Sequence, residues 1–114
     1  MAREFIMTPV FDRQWRDAGL DDDDLQTLQS HLLDNPYAGD IVRETGGARK
    51  VRFAAVLNSG KSGSIRVMYL DITHLQKMYL LLCYPKSKQD NLTPRQKSQI
   101  RSVVALLKGA QSNG

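Results

Sequence analysis

Hydrophobic and polar positions along the chain change period twice, and the changes separate helical from extended regions. Near the start, Phe11, Trp15 and Ala18 recur at i, i+4 and i+7, one face of a helix. Thr8-Pro9 supplies an N-cap and a proline at the first helical position, and Gly19 closes the segment. A second helix starts in Asp21–Asp24, where carboxylates suit the positive end of the helix dipole. Its buried stripe is Leu25, Leu28 and Leu32 with Leu33 beside them, and Asn35-Pro36 ends it before the turn Tyr37-Ala38-Gly39. Two short amphipathic helices with a tight connection read as an αα-hairpin.

After Gly46-Gly47 the period becomes two. Over Lys50–Leu57, Val51, Phe53, Ala55 and Leu57 point one way, while Lys50, Arg52, Ala54 and Val56 point the other. Asn58–Gly63 is a turn by composition, Ser64–Ile72 a second strand, Thr73–Gln76 a short turn, and Lys77–Tyr84 a third strand. The third is apolar at nearly every position, as in a central or doubly covered strand. Short connections make the three an antiparallel meander. Pro85–Asn91 is a polar loop. Thr93-Pro94 repeats the N-cap signal, and Ile100, Val103, Val104 and Leu107 mark a C-terminal helix that Gly109 is expected to stop, with a frayed tail over 110–114. The predicted order is ααβββα, a two-layer α+β domain over residues 1–114.

Composition narrows the function classes. With 114 residues the chain has room for one core. Its longest apolar run, Met78–Tyr84, is far short of the roughly 20 residues that span a bilayer. The N-terminal stretch lacks an apolar signal core, and Cys83 is the single cysteine, so a soluble protein of the cytoplasm without an internal disulfide is expected. Charge is lopsided: residues 1–40 carry a net −6 and residues 41–114 a net +10. Such a split points to a polyanionic partner for the basic part.

Metal and nucleotide motifs are weak. His31 and His74 are far apart, no CxxC or HExxH occurs, and Asp21–Asp24 lacks the spaced ligands of an EF-hand loop, so no metal or cofactor is expected. Cys83 reads as a core residue. Gly60-Lys61-Ser62 is not a P-loop, because Ala55 stands where the first glycine belongs and a strand follows.

The remaining chemistry is cationic. Lys50 and Arg52 share a strand face, Arg49 precedes them, Arg66 lies on the next strand, and Lys86 and Lys88 follow Tyr84 at the end of the third. A meander sets these segments side by side. The cluster reads in two ways: charges that keep sheet edges from pairing, or a phosphodiester site. In the second, arginine and lysine neutralise developing charge, and lysine or tyrosine moves protons. RNA carries its own nucleophile, the 2′-OH, so such a site needs neither metal nor protein nucleophile.

Four stretches also resemble a known family. They are Leu33–Ile41 (LDNPYAGDI), Thr45–Arg52 (TGGARKVR), Gly60–Tyr69 (GKSGSIRVMY) and Tyr79–Lys86 (YLLLCYPK). Their order and spacing are similar to the RelE/HigB toxins of bacterial type II toxin–antitoxin systems, closest to the HigB branch, over roughly residues 5–108. The resemblance implies a RelE-like fold and a ribosome-dependent mRNA endonuclease, an mRNA interferase that inhibits translation. Such an enzyme cuts A-site mRNA by metal-independent 2′-OH attack, leaving a 2′,3′-cyclic phosphate and a 5′-OH. Carried over by position, the catalytic set is Lys50, Arg52, Arg66, Tyr84 and Lys86. Arg66 would stabilise the phosphorane, Lys50 or Lys86 would accept the proton, and Arg52 and Tyr84 would orient the nucleotide, Tyr84 by stacking. Arg49, Lys61 and Lys88 would hold RNA or ribosome phosphates. Partners implied are the ribosome, mRNA and a cognate antitoxin, commonly of helix-turn-helix type, through which any DNA contact would pass. Ser64 stands where the pattern has a second glycine, and Pro85 where it has a glycine before the lysine. The rival expectation is a basic module that binds RNA, ribosome or protein without cutting, or a degenerate toxin.

Overall fold

The computed structural model describes residues 3–54, 64–89 and 91–112. The elements are β1 (Glu4–Met7), α1 (Pro9–Asp17), α2 (Asp22–Asp34), β2 (Asp40–Ile41), β3 (Arg49–Ala54), β4 (Ser64–Ile72), β5 (Lys77–Pro85) and α3 (Pro94–Ser112). They form a mixed α+β fold around a five-stranded sheet of order β1-β5-β4-β3-β2. The meander β3-β4-β5 is antiparallel as expected. Two strands extend it beyond the expected order. β2 adds antiparallel to β3, and β1 lies parallel to β5, with Glu4 opposite Lys77 and Met7 opposite Leu80.

The sheet is covered on both faces, so the expected two layers become three. Alternate residues of β4 separate cleanly: Val67 and Tyr69 join Phe11, Trp15, Leu28 and Leu32 under α1 and α2. Met68, Leu70 and Ile72 join Ile100 and Val104 of α3 on the opposite face. This accounts for the near-continuous apolar sequences of β4 and β5, which have no solvated face. α3 also runs through Gly109 to Ser112 instead of stopping there. Glycine weakens a helix interior without forbidding it, and Lys108 Nζ holds the preceding turn by donating to Gly46 O at 2.6 Å.

The passage from β1 to α1 satisfies the edge that β5 exposes beyond Leu80. Thr8 N–H donates to Leu80 O at 3.1 Å, and Thr8 Oγ1 donates to Leu81 O at 2.7 Å. The same hydroxyl oxygen accepts from Phe11 N–H as the α1 N-cap. Gln14 Oε1 then accepts from Cys83 N–H at 2.9 Å. Side chains of α1 thus replace the missing strand. Pro85 follows at a position with no β1 neighbour, where its lack of an N–H costs no ladder bond. Replacing Thr8 by alanine removes both the cap and the side-chain tie to Leu81, and keeps the backbone bond to Leu80. Urea unfolding is expected to show a loss of about 1–2 kcal/mol.

The acidic run is structural. Asp21 and Asp24 form a reciprocal capping box at the start of α2. The Asp24 backbone N–H holds the Asp21 carboxyl below the usual carboxylate range. Among the described residues no group of three or more His, Cys, Asp or Glu could hold a metal ion, and no helix is long and apolar enough to cross a membrane.

Candidate cationic site on the α3 face of the sheet

Strand register brings most of the basic cluster together. Arg52 on β3 stands directly opposite Arg66 on β4, and Arg66 directly opposite Tyr84 on β5. All three lie on the α3 face, the face of Met68 and Leu82. One rung to one side, Lys50 pairs with Met68, which pairs with Leu82. One rung to the other, Ala54 pairs with Ser64, whose carbonyl accepts from Lys86 N–H at 3.1 Å. The two lysines therefore flank the arginine row on opposite sides.

Like charges directly opposite on neighbouring strands destabilise a sheet. Among the described residues neither Arg52 nor Arg66 has a carboxylate ion-pair partner to relieve that cost. Among the described residues the one ion pair is Arg3 with Asp71, 2.8 Å apart at the far end of β4. Arg52 is exposed and Arg66 half-buried. Arg66 Nη1 donates to Ser64 Oγ at 2.9 Å. In sequence Ser64 is the first residue of the second strand and stands at a motif glycine, with no role in the cluster assigned to it. Period two along β4 puts residues 64 and 66 on one face, and that was the available signal.

Three other expected residues sit differently. Arg49 points to the opposite face, with Val51. Its guanidinium donates to Tyr37 O and Gly39 O at 3.1 and 3.0 Å and lies over the Tyr37 ring, 5.4 Å from the centroid. It braces the 36–39 turn and does not join the cluster. Tyr84 is in the row, but it is 4% exposed and packed in the cluster of Leu92, Ile100 and Val104. That burial leaves little of its surface for the stacking role the resemblance implies. Lys88 lines a shallow cleft of about 210 Å3 between α1 and the end of β5, with Gln14, Asp17, Tyr84 and Pro85. Lys61 and the segment Ala55–Gly63, which holds the end of the expected first strand and the turn after it, lie outside the described residues.

The turn before β2 fixes Lys50. Gly39 has φ +79°, and a Cβ there would meet the Lys50 carbonyl oxygen at 2.1 Å. Only glycine lets the turn lie that close to β3. Beneath it, the buried Tyr69 hydroxyl donates to Ala38 O and is 3.2 Å from Pro36 O. Burial pushes the Tyr69 pKa up to about 12. The unfolded chain ionises near pH 10, before the folded one. The tyrosine's contribution is therefore full below about pH 10 and is lost as pH rises toward 12. Denaturant titrations between pH 8 and 11.5 are expected to show a steeper alkaline decline for the native chain than for Tyr69→Phe.

Cys83 is buried against α1, and burial raises its thiol pKa to about 12. At neutral pH it is a protonated core residue, not a nucleophile. No family model matches the chain.

Proposed function

We propose that the chain is the toxin of a type II toxin–antitoxin module, of the RelE/HigB kind its motifs resemble, and that it cleaves mRNA in the ribosomal A site. The observation that supports this best is the Arg52–Arg66 pair. Two arginines opposed in register, with no ion-pair partner among the described residues and with a lysine on either side, suit a phosphodiester more than a free surface. Edge protection does not explain Arg66, because β4 is an interior strand.

In this reading the scissile phosphate lies over the arginine row. The 2′-oxygen attacks phosphorus, a 2′-O–P bond forms and the P–O5′ bond breaks. In-line displacement sets the entering and leaving oxygens on opposite sides of phosphorus. Lys50 and Lys86, on opposite sides of the row, suit the two proton transfers, one accepting from the 2′-OH and the other donating to the 5′-oxygen. Arg66 and Arg52 stabilise the charge on the pentacoordinate phosphorus. Tyr84, buried in the row opposite Arg66, supports it from the β5 side. Of the residues expected to hold RNA phosphates, Lys88 serves the approach from the α1 side, and Arg49 is given a structural role. The module acts in the cytoplasm, with the ribosome and mRNA as its targets and a cognate antitoxin as its inhibitor.

Primer extension on a defined mRNA in a purified bacterial translation system, with and without ribosomes, tests the proposal. Cuts within A-site codons only when ribosomes are present are expected. Intact mRNA with a folded protein bound to ribosomes would favour the non-cutting module instead.

A further inference from the structure

We propose that Ser64 is a positioning residue, whose hydroxyl fixes the Arg66 guanidinium in the orientation that receives phosphate. The inference rests on the reading of Arg66 as a phosphate-binding group and extends it to a residue at which the motif of the resembled family has glycine.

Ser64 Oγ accepts from Arg66 Nη1 at 2.9 Å, and the serine is buried, 7% exposed. Its carbonyl accepts from Lys86 N–H. One residue thus joins the central arginine to the backbone that carries the lysine on its far side. Arg66 needs such a tie. It stands directly opposite Arg52, and mutual repulsion drives the two long side chains apart. A hydrogen bond to a neighbour two residues back on the same strand face holds the guanidinium near the row against that repulsion. A guanidinium has five N–H donors, so a tether at one nitrogen leaves the others for phosphoryl oxygens. The acceptor is also the right kind. A carboxylate there would neutralise the arginine and repel the substrate, whereas a hydroxyl orients it without removing its charge.

The experiment compares the full chain with Ser64→Ala and Ser64→Thr. Rotation of the Arg66 guanidinium in the free protein is followed by nitrogen-15 NMR. Single-turnover cleavage of ribosome-bound mRNA is followed across protein concentration. Hindered rotation is expected in the native chain and in Ser64→Thr, and free rotation in Ser64→Ala. The saturating cleavage rate should fall about 10- to 100-fold in Ser64→Ala, with the half-saturating concentration within about twofold of native. Threonine, which keeps the hydroxyl and suits a strand, should recover the rate to within about threefold.

An unchanged rate in Ser64→Ala, equal losses in both variants, or a loss confined to the half-saturating concentration would each overturn the proposal. Unchanged rotation would overturn it independently of activity. If the native chain cuts nothing, the endonuclease reading fails by itself. Rotation still decides then whether Ser64 positions Arg66.

Discussion

Replacing Arg66 by alanine should reduce the single-turnover cleavage rate on ribosome-bound mRNA by roughly a hundred- to a thousandfold, the scale of losing one preorganised charge-stabilising donor. The protein should stay folded. Arg66 is half-buried, and ending its opposition to Arg52 offsets the loss of its hydrogen bond to Ser64. Thermal unfolding of the variant is therefore expected at or above the native temperature. Loss of activity with unchanged or raised stability is the signature of a group kept for chemistry rather than for the fold. Arg66→Lys should fall between the two, because lysine keeps the charge but presents no planar fork. Full activity in Arg66→Ala would remove the arginine row from the mechanism.

The largest effect on stability is expected from Gly39→Ala. The added Cβ would lie 2.1 Å from the Lys50 carbonyl oxygen and 2.7 Å from its carbon, and φ is +79°. Both neighbours are backbone held in the β2–β3 ladder, where Asp40 pairs with Lys50. The clash can be relieved only by moving β3 or opening the turn over Tyr69. Either change should cost about 3 kcal/mol or more, measured by urea unfolding. Gly46→Ala is the contrast. Its φ is +82°, but the nearest atom to its Cβ is Val104 Cγ1 at 2.9 Å, a side-chain methyl rather than backbone. About 1–2 kcal/mol is expected there. Gly39→Ala should also slow cleavage in the fraction that remains folded, because the backbone that must yield carries Lys50.

Local chemistry made much of this legible. Period two in β3 put Lys50 and Arg52 on one face, and short connections made β3, β4 and β5 neighbours, so the arginine row could be anticipated before its register was known. The same period, applied one residue earlier, already placed Arg49 on the other face. β1 was hidden because four residues, Glu4–Met7, show no alternation, and their partner lies at the other end of the chain. The burial of Tyr84 was hidden too. A strand pattern says which way a residue points, not that Leu92, Ile100 and Val104 will close over it. Ser64 was read through the glycine it replaces, and its bond to Arg66 depends on a side-chain conformation that spacing alone does not give.

The parallel pairing of β1 with β5 has a consequence for the order in which the molecule is made. Thr8 and Leu81, which close that edge, are 73 residues apart. During synthesis β1 and α1 leave the ribosome well before any strand exists to receive them, and the local β3-β4-β5 meander must supply the template. The earliest-made strand is thus among the last to dock. Lys86 and α3 emerge later still, so a nascent chain carries Arg52 and Arg66 well before the far side of the phosphate site exists. A partly made chain therefore holds the charge of the site without its geometry. Under the proposed function, the translating ribosome that makes this protein would be protected from it until synthesis has passed β5.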